Sequence, residues 1–279
     1  MPATVSMEDA CYRMLSLGMM DIGRIFRIST MRQVVLMLVL LAAWPAAAEE
    51  VWQQKLAAAM AAPSRPDADR ARDANRLPLQ TLEFFRFRDD MKVLELFPGS
   101  GWYTRLLAPV LAQRGKLFLA LGTGRVARAM EESDVLRTAE ILDVGAELEA
   151  TSRRGIYHLG PLSFWQDDLD LVLTFRNVHN LDAEGRDNLN AAVFEALRPG
   201  GLYGVVDHTR RHMAPDSAAN VRRVDPVAAI HETLRAGFEL VGYSDLHHRP
   251  GDDLSLEVGD ERVSGRTDRF TLLFRKPSE

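Results

Sequence analysis

The run Val93-Leu94-Glu95-Leu96-Phe97-Pro98-Gly99-Ser100-Gly101-Trp102-Tyr103-Thr104 decides how this chain reads. An apolar strand carrying one acid passes into a G-x-G turn and then into a helical segment, which is a ligand-binding arrangement. Gly99 and Gly101 permit positive φ and carry no Cβ, so a ligand can lie against the backbone there. The helix starting near Trp102 opens with unpaired N–H groups. A dinucleotide pyrophosphate would need a third glycine at that terminus. Thr104 stands there instead, behind the bulky Trp102 and Tyr103, so the turn suits a ligand without a pyrophosphate.

Outward from this run the chain repeats apolar strand, Gly-containing turn and amphipathic helix, a pattern that predicts a parallel sheet covered by helices. Strands are expected at Lys92 to Phe97, Lys116 to Leu121, Leu169 to Phe175, Leu202 to Val206, Phe238 to Tyr243 and Phe270 to Phe274, with a short third strand at Gly155 to Leu159. Helices are expected at Trp102 to Gln113, Val126 to Leu136, Ala183 to Leu197 and Val227 to Ala236. Pro109 should kink the first of these, whose inward residues are Leu106, Leu107, Val110 and Leu111. Pro250 to Gly265 reads as a polar loop, and the adjoining His247 and His248 read as solvent-exposed.

Upstream, Val51 to Ala62 is alanine-rich and helix-prone. The alternating charges of Asp67 to Arg76 read as a solvated face with short-range ion pairs. Residues 49–90 thus form a helical cap ahead of a main domain at 91–279. Residues 1–48 stand apart from both. Met31-Arg32, the apolar run Val34 to Trp44 and Ala46-Ala47-Ala48 match an export signal, shorter than the roughly twenty apolar residues of a membrane span. The reading is a signal starting near Met31, cleaved after Ala48, and a periplasmic or secreted protein with no stable membrane insertion afterwards.

Composition narrows the function. Apolar residues make up 47% and charged residues 26% of the 279, which is ordinary for a globular chain. A net charge of −5, with basic and acidic residues interleaved, gives no footprint for nucleic acid and leaves a small molecule as the expected partner. The single Cys11 cannot form an internal disulfide, and no Cys/His spacing suggests a metal site. Oligomeric state is not encoded in any feature of the sequence.

Two later stretches carry more chemistry: Asp170-Leu171-Val172-Leu173-Thr174-Phe175-Arg176-Asn177-Val178-His179-Asn180, and Leu197-Arg198-Pro199-Gly200-Gly201-Leu202-Tyr203-Gly204-Val205-Val206-Asp207-His208. Ligands of open parallel sheets sit beyond the carboxyl ends of the strands, so Arg176, Asn177, His179, Asp207 and His208 converge there. His179 is the candidate base, because imidazole titrates near neutrality. The alternative is a capping or packing role for that ring. Asp207 could orient His208 as a second proton-handling pair, or both residues could simply make a strand-end turn. Arg176 could hold an anionic group or pair with Asp170 or Asp182.

On these three stretches, about residues 63–277 resemble the class I S-adenosylmethionine-dependent methyltransferases. More narrowly the chain is similar to the bacterial predicted methyltransferases with export signals, whose pattern also includes Arg222-Arg223-Val224-Asp225 and Asp268-Arg269-Phe270. The resemblance implies an α/β, Rossmann-like three-layer sandwich: a mostly parallel seven-stranded sheet of order 3-2-1-4-5-7-6, its last strand antiparallel, with helices on both faces. It implies S-adenosylmethionine as cofactor, with Glu95, Pro98, Gly99, Ser100, Gly101, Tyr103, Thr104, Thr123, Arg176 and Asn177 around it and His179, Asp207 and His208 in catalysis. The chain departs from the class at Ala120-Leu121-Gly122-Thr123-Gly124, where an acid for the two ribose hydroxyls is missing. Unless Thr123 or water substitutes, each unpaired hydroxyl costs about 1 to 3 kcal/mol. The competing readings are a non-catalytic binding protein on a degenerate methyltransferase fold and an NAD-dependent oxidoreductase, the latter disfavoured by the absent third glycine.

Overall fold

The structure is a computed structural model and describes residues 51–278. The expected export segment, residues 1–48, lies outside the described residues. Nine strands form: β1 (Lys92–Leu96), β2 (Lys116–Ala120), β3 (Glu140–Ile141), β4 (Leu148–Ala150), β5 (Tyr157–Leu159), β6 (Leu169–Phe175), β7 (Leu197–His208), β8 (Glu239–Ser244) and β9 (Arg269–Arg275). Seven of them make one sheet in the order β3-β2-β1-β6-β7-β9-β8. β1, β2, β3, β6 and β7 pair in parallel, and β9 runs antiparallel to both β7 and β8. This is the expected order with its reversed last strand.

β1 beyond Lys92 and β6 apart from Asp170 are buried at the centre because their apolar runs serve both faces. Val93, Leu171 and Leu173 point into one core with Leu106, Leu107, Val110 and Leu111 of the helix Thr104–Leu111. Leu94, Leu96 and Val172 point into the other, with Leu189 and Val193 of the helix Ala183–Ala196. Pro109 sits inside the helix Thr104–Leu111, which is shorter at both ends than the sequence suggests. Trp52, Leu56, Leu82, Phe85 and Phe87 complete the first core, so the helical cap and the sheet share one interior. Trp52–Glu279 is accordingly one compact unit.

Two expectations are corrected. The third strand of the sheet is the two-residue Glu140–Ile141, both residues exposed, whereas Tyr157–Leu159 pairs antiparallel with Leu148–Ala150 in a separate ribbon. A strand that short has no apolar run to announce it. His247 is also not exposed. It is buried with its Nδ1 2.7 Å from the Thr271 hydroxyl, and its Nε2 donates to the Arg76 carbonyl at 3.1 Å. Burial lowers its pKa to about 4, so the neutral ring ties the cap to β9. His248 does face solvent, beside Asp268.

Candidate functional site at the carboxyl ends of the strands

Three neighbouring strands end alike. Phe97 after β1, Leu121 after β2 and Arg176 after β6 all take left-handed backbone, with φ of 52°, 63° and 64°. Non-glycine residues there cost of order 1 to 3 kcal/mol each, and such strain collects at ligand sites. The Asn177 amide holds two of these turns together, donating to the Phe97 and Phe175 carbonyls at 3.3 and 3.1 Å. The Pro98 carbonyl accepts from the Gly101 N–H at 2.9 Å and closes the glycine turn.

A cavity of about 230 Å³ lies over that turn, walled by Glu95, Pro98, Gly99, Ser100, Tyr103, Arg176 and Asn177 and roofed by Arg72 and Arg76 of the cap. Glu95 follows Val93 on the face toward the helix Thr104–Leu111, so the Thr104 hydroxyl donates to its carboxylate at 2.7 Å. Burial raises the Glu95 pKa to about 7. Thr104 therefore lies beneath the cavity and not in its wall. Thr123 is not in the wall either; Arg125, two residues on, takes that place. Gly99 has φ of +60° and would carry a Cβ no closer than 3.7 Å to Arg125. Gly101 differs: a Cβ there would meet Val126 Cγ2 at 2.9 Å, so this glycine is required by packing between chain segments and not by a ligand.

A second, larger cleft of about 560 Å³ shares Arg72 and Arg176 with the first and continues past His179, Asn180 and His208. In the register of β6 and β7, Phe175 lies opposite Val206, which puts Asp207 beside the segment that follows β6. Asp207 consequently meets His179, with Oδ1 2.5 Å from Nδ1 and Oδ2 3.2 Å from the backbone N–H. The expected pairing of Asp207 with the His208 ring is corrected, because successive residues on a strand point to opposite faces. The His208 backbone N–H does donate to Asp207 Oδ1 at 2.6 Å, but its ring turns to the Thr267 hydroxyl at 2.8 Å. Burial first, then the neighbouring His179 and Arg269, hold the His208 pKa well below the ordinary imidazole value. His208 is thus a neutral wall.

An ionised carboxylate only accepts, so the shared proton of the His179–Asp207 pair resides on Nδ1 and Nε2 keeps a free lone pair. The donor atoms of His179, Asp207 and His208 lie within 4.8 Å of one another, a clustering invisible in sequence spacing. Both Asp207 oxygens and the His208 Nδ1 already have partners, so the geometry is that of an oriented base.

The residues that sequence reading missed are Arg72 and Arg76. Arg76 is buried, its guanidinium 4.4 Å from the centre of the Trp102 ring and 5.5 Å from that of Tyr103. Desolvation and the nearby Arg176 lower its pKa to about 8. One cue existed. Like charges at i and i+4 oppose each other on a solvated helix, so Arg72 and Arg76 fit poorly with an ion-paired surface.

The sequence resemblance implies S-adenosylmethionine, and the residues fit it in part. Gly99 leaves backbone accessible, and the guanidinium of Arg76 suits its amino-acid carboxylate. Leu121-Gly122-Thr123 after β2 offers no carboxylate to its ribose.

No family model matches the chain, and no curated protein matches it. Solved structures do. The structure reported as "Conversion of a Disulfide Bond into a Thioacetal Group during Echinomycin Biosynthesis" is similar at a TM-score of 0.50 and 12% identity, over 73% of this chain and 81% of that one. A SAM dependent methyltransferase from Aquifex aeolicus is similar at 0.47 and 15%, over 74% and 93%. A TehB-like SAM-dependent methyltransferase from Corynebacterium glutamicum is similar at 0.46 and 15%, over 83% and 99%. Two of these three structures are named as SAM-dependent methyltransferases, and at these identities the likeness is one of fold: a Rossmann-like, mostly parallel seven-stranded sheet.

Proposed function

We propose that the protein is an S-adenosylmethionine-dependent methyltransferase acting on a small molecule. The observation that carries this reading is the His179–Asp207 pair, set in a cleft that joins the cavity over the glycine turn through Arg72 and Arg176. Pro98, Gly99, Ser100 and Asn177 would line the donor, Glu95 would face its ammonium group and Arg76 its carboxylate. The donor supplies a methyl group on a positively charged sulfur. His179 Nε2 would take the proton of the acceptor's O–H or N–H as that heteroatom bonds to the methyl carbon and the methyl–sulfur bond breaks, the donor leaving as its neutral thioether. Asp207 fixes the tautomer and steadies the imidazolium that results. Arg176 and Asn180 at the cleft wall align the acceptor, and alignment is what an in-line displacement most needs from a protein.

Calorimetry of the full chain with S-adenosylmethionine, its demethylated product and NAD tests the reading. Binding of the first two at micromolar concentrations supports it, and binding of NAD alone overturns it. A second reading, a binding protein without turnover, is favoured by the missing acid after β2. Export also belongs among the proposals, and a mature chain beginning at Glu49 by mass spectrometry of native protein would support it.

A further inference from the structure

The charges around the larger cleft do not balance. Arg72, Arg176, His179, His208 and Arg222 line it, and among the described residues no carboxylate does. Arg222 is already neutralised, its Nε and Nη2 lying 2.6 and 2.8 Å from the two oxygens of Glu257. Among the described residues Arg72 and Arg176 have no such partner. The acids near them in sequence are engaged elsewhere: Asp69 with Arg105, Asp73 with Arg65, Asp170 with Arg198, Asp182 with His158 and Asp207 with His179. Next to them Arg76 is 7% exposed, and its Nε has no hydrogen-bond partner among the described residues. Burial, with repulsion between neighbouring arginines, lowers the pKa of Arg76 and of Arg176.

The methyl donor does not correct this imbalance. Its one carboxylate arrives with an ammonium and a sulfonium, so Arg72 and Arg176 still face the acceptor side uncompensated. A single acceptor carboxylate would satisfy one guanidinium fork. A phosphate monoester carries close to two charges at neutral pH and presents three acceptor oxygens, enough for two forks at once.

We propose that the larger cleft takes an acceptor bearing a phosphate monoester, held between Arg72 and Arg176 with its methylatable group toward His179. The word acceptor rests on the methyl-transfer reading; the anion site does not. Calorimetry of the full chain at pH 7.5 with phenyl phosphate, benzoate, phenol and inorganic phosphate tests it. Phenyl phosphate should bind about tenfold or more tightly than benzoate, with phenol weaker still, and rising salt should weaken it. Arg72→Gln and Arg176→Gln should each lose about tenfold or more, Arg176→Lys less, and Arg198→Gln at the opposite end of the sheet nothing. Near-ultraviolet circular dichroism checks that each variant is folded. Equal affinity for phenyl phosphate and benzoate, or unchanged affinity in both folded glutamine variants, would overturn the site. Inorganic phosphate binding as tightly as phenyl phosphate would overturn the ester in favour of the free ion. Titration with S-adenosylmethionine separates the two readings. Anion binding without donor binding keeps the phosphate site and defeats methyl transfer, and donor binding without anion binding does the reverse.

Discussion

The two ends of the sheet are built on opposite electrostatic rules. Near the amino ends of the strands most cations meet an acid: Lys92 with Asp168, Lys116 with Glu140, Arg198 with Asp170, and Arg114 and Lys55 with Asp89. At the carboxyl ends Arg72, Arg76 and Arg176 are drawn in without a salt-bridge partner among the described residues, Glu95 is buried with its pKa near 7, and His179 leans on a fully buried Asp207. Left-handed backbone at Phe97, Leu121 and Arg176 follows three neighbouring strands at that second end. Paired charges there would favour stability. Leaving them without such partners costs free energy that a bound anion would offset, which is the basis for the proposal that this is the working end of the molecule.

The strongest way to break the contrast is at His179. His179→Ala should lower turnover by about 10² to 10⁴ while donor affinity holds, the range for a lost general base. His179→Gln keeps a hydrogen bond to Asp207 but not the basicity and should be nearly as slow. Rates of both across pH 5 to 9 check this once an acceptor is found. Full activity in His179→Gln with an unshifted pH profile would reduce the ring to a structural prop.

The glycine turn sharpens the comparison within the working end itself. Gly101→Val places a side chain against Val126 at φ of +84° and should destabilise the fold by about 2 to 4 kcal/mol in urea melts. Gly99→Ala meets nothing closer than 3.7 Å, so it should cost only about 1 kcal/mol of stability and act on donor affinity instead. If both variants lose stability alike and bind donor alike, the cavity over the turn is not the donor site.

How much of this was legible in the sequence depends on how local each signal is. β1, β2, β6 and the glycine turn announce themselves through unbroken apolar runs and a G-x-G spacing, and the sheet order followed from the resemblance. β3 escaped because two exposed residues carry no hydrophobic pattern. The partner of Asp207 escaped for a different reason. Sequence adjacency suggested His208, but strand alternation and the β6–β7 register hand the carboxylate to His179, 28 residues away. Arg72 and Arg76 were hidden in a run of mixed charge whose ordinary meaning is a wet surface, and only the fold of the cap turns that run inward.

Acid–base linkage probes the buried charges directly. The folded pKa of Glu95 is about 7 against 4.5 in the free side chain, so the folded state binds more protons between those values and stability falls as pH rises through that window. Above it the loss is complete, at about 3 kcal/mol. His247, lowered to about 4 from 6.5, works the other way: its contribution is present above 6.5 and lost as pH falls toward 4. Glu95→Gln should therefore raise the melting temperature at pH 8 and steepen the gain in stability between pH 4.5 and 6.5, and His247→Gln should flatten that gain. Thermal melts of the three proteins from pH 4.5 to 8 check both signs. A Glu95→Gln variant with wild-type melting at pH 8 would mean that the carboxylate is solvated after all.

The smallest effect belongs to the amino end. Arg198 is 45% exposed at its side chain and donates to Asp170 at 2.8 Å, while Asp170 also accepts from the Lys92 backbone N–H at 2.8 Å. An ion pair that wet gains little from Coulomb attraction, because water screens it and two long side chains lose freedom to form it. Arg198→Gln should change stability by about 0.5 kcal/mol or less, and the Lys92 contact keeps Asp170 satisfied when the guanidinium is gone. The same substitution at Arg176 removes a cation without a salt-bridge partner among the described residues, whose attraction to Asp207 is outweighed by burial and by repulsion from Arg72, so it should raise stability in the absence of added anion while removing anion binding. Opposite signs for one chemical change at the two ends would establish that the working end is strained by its own charge. A loss of stability at Arg176→Gln equal to or larger than that at Arg198→Gln would show instead that Arg176 is held by contacts within the protein and that the contrast between the ends is not electrostatic.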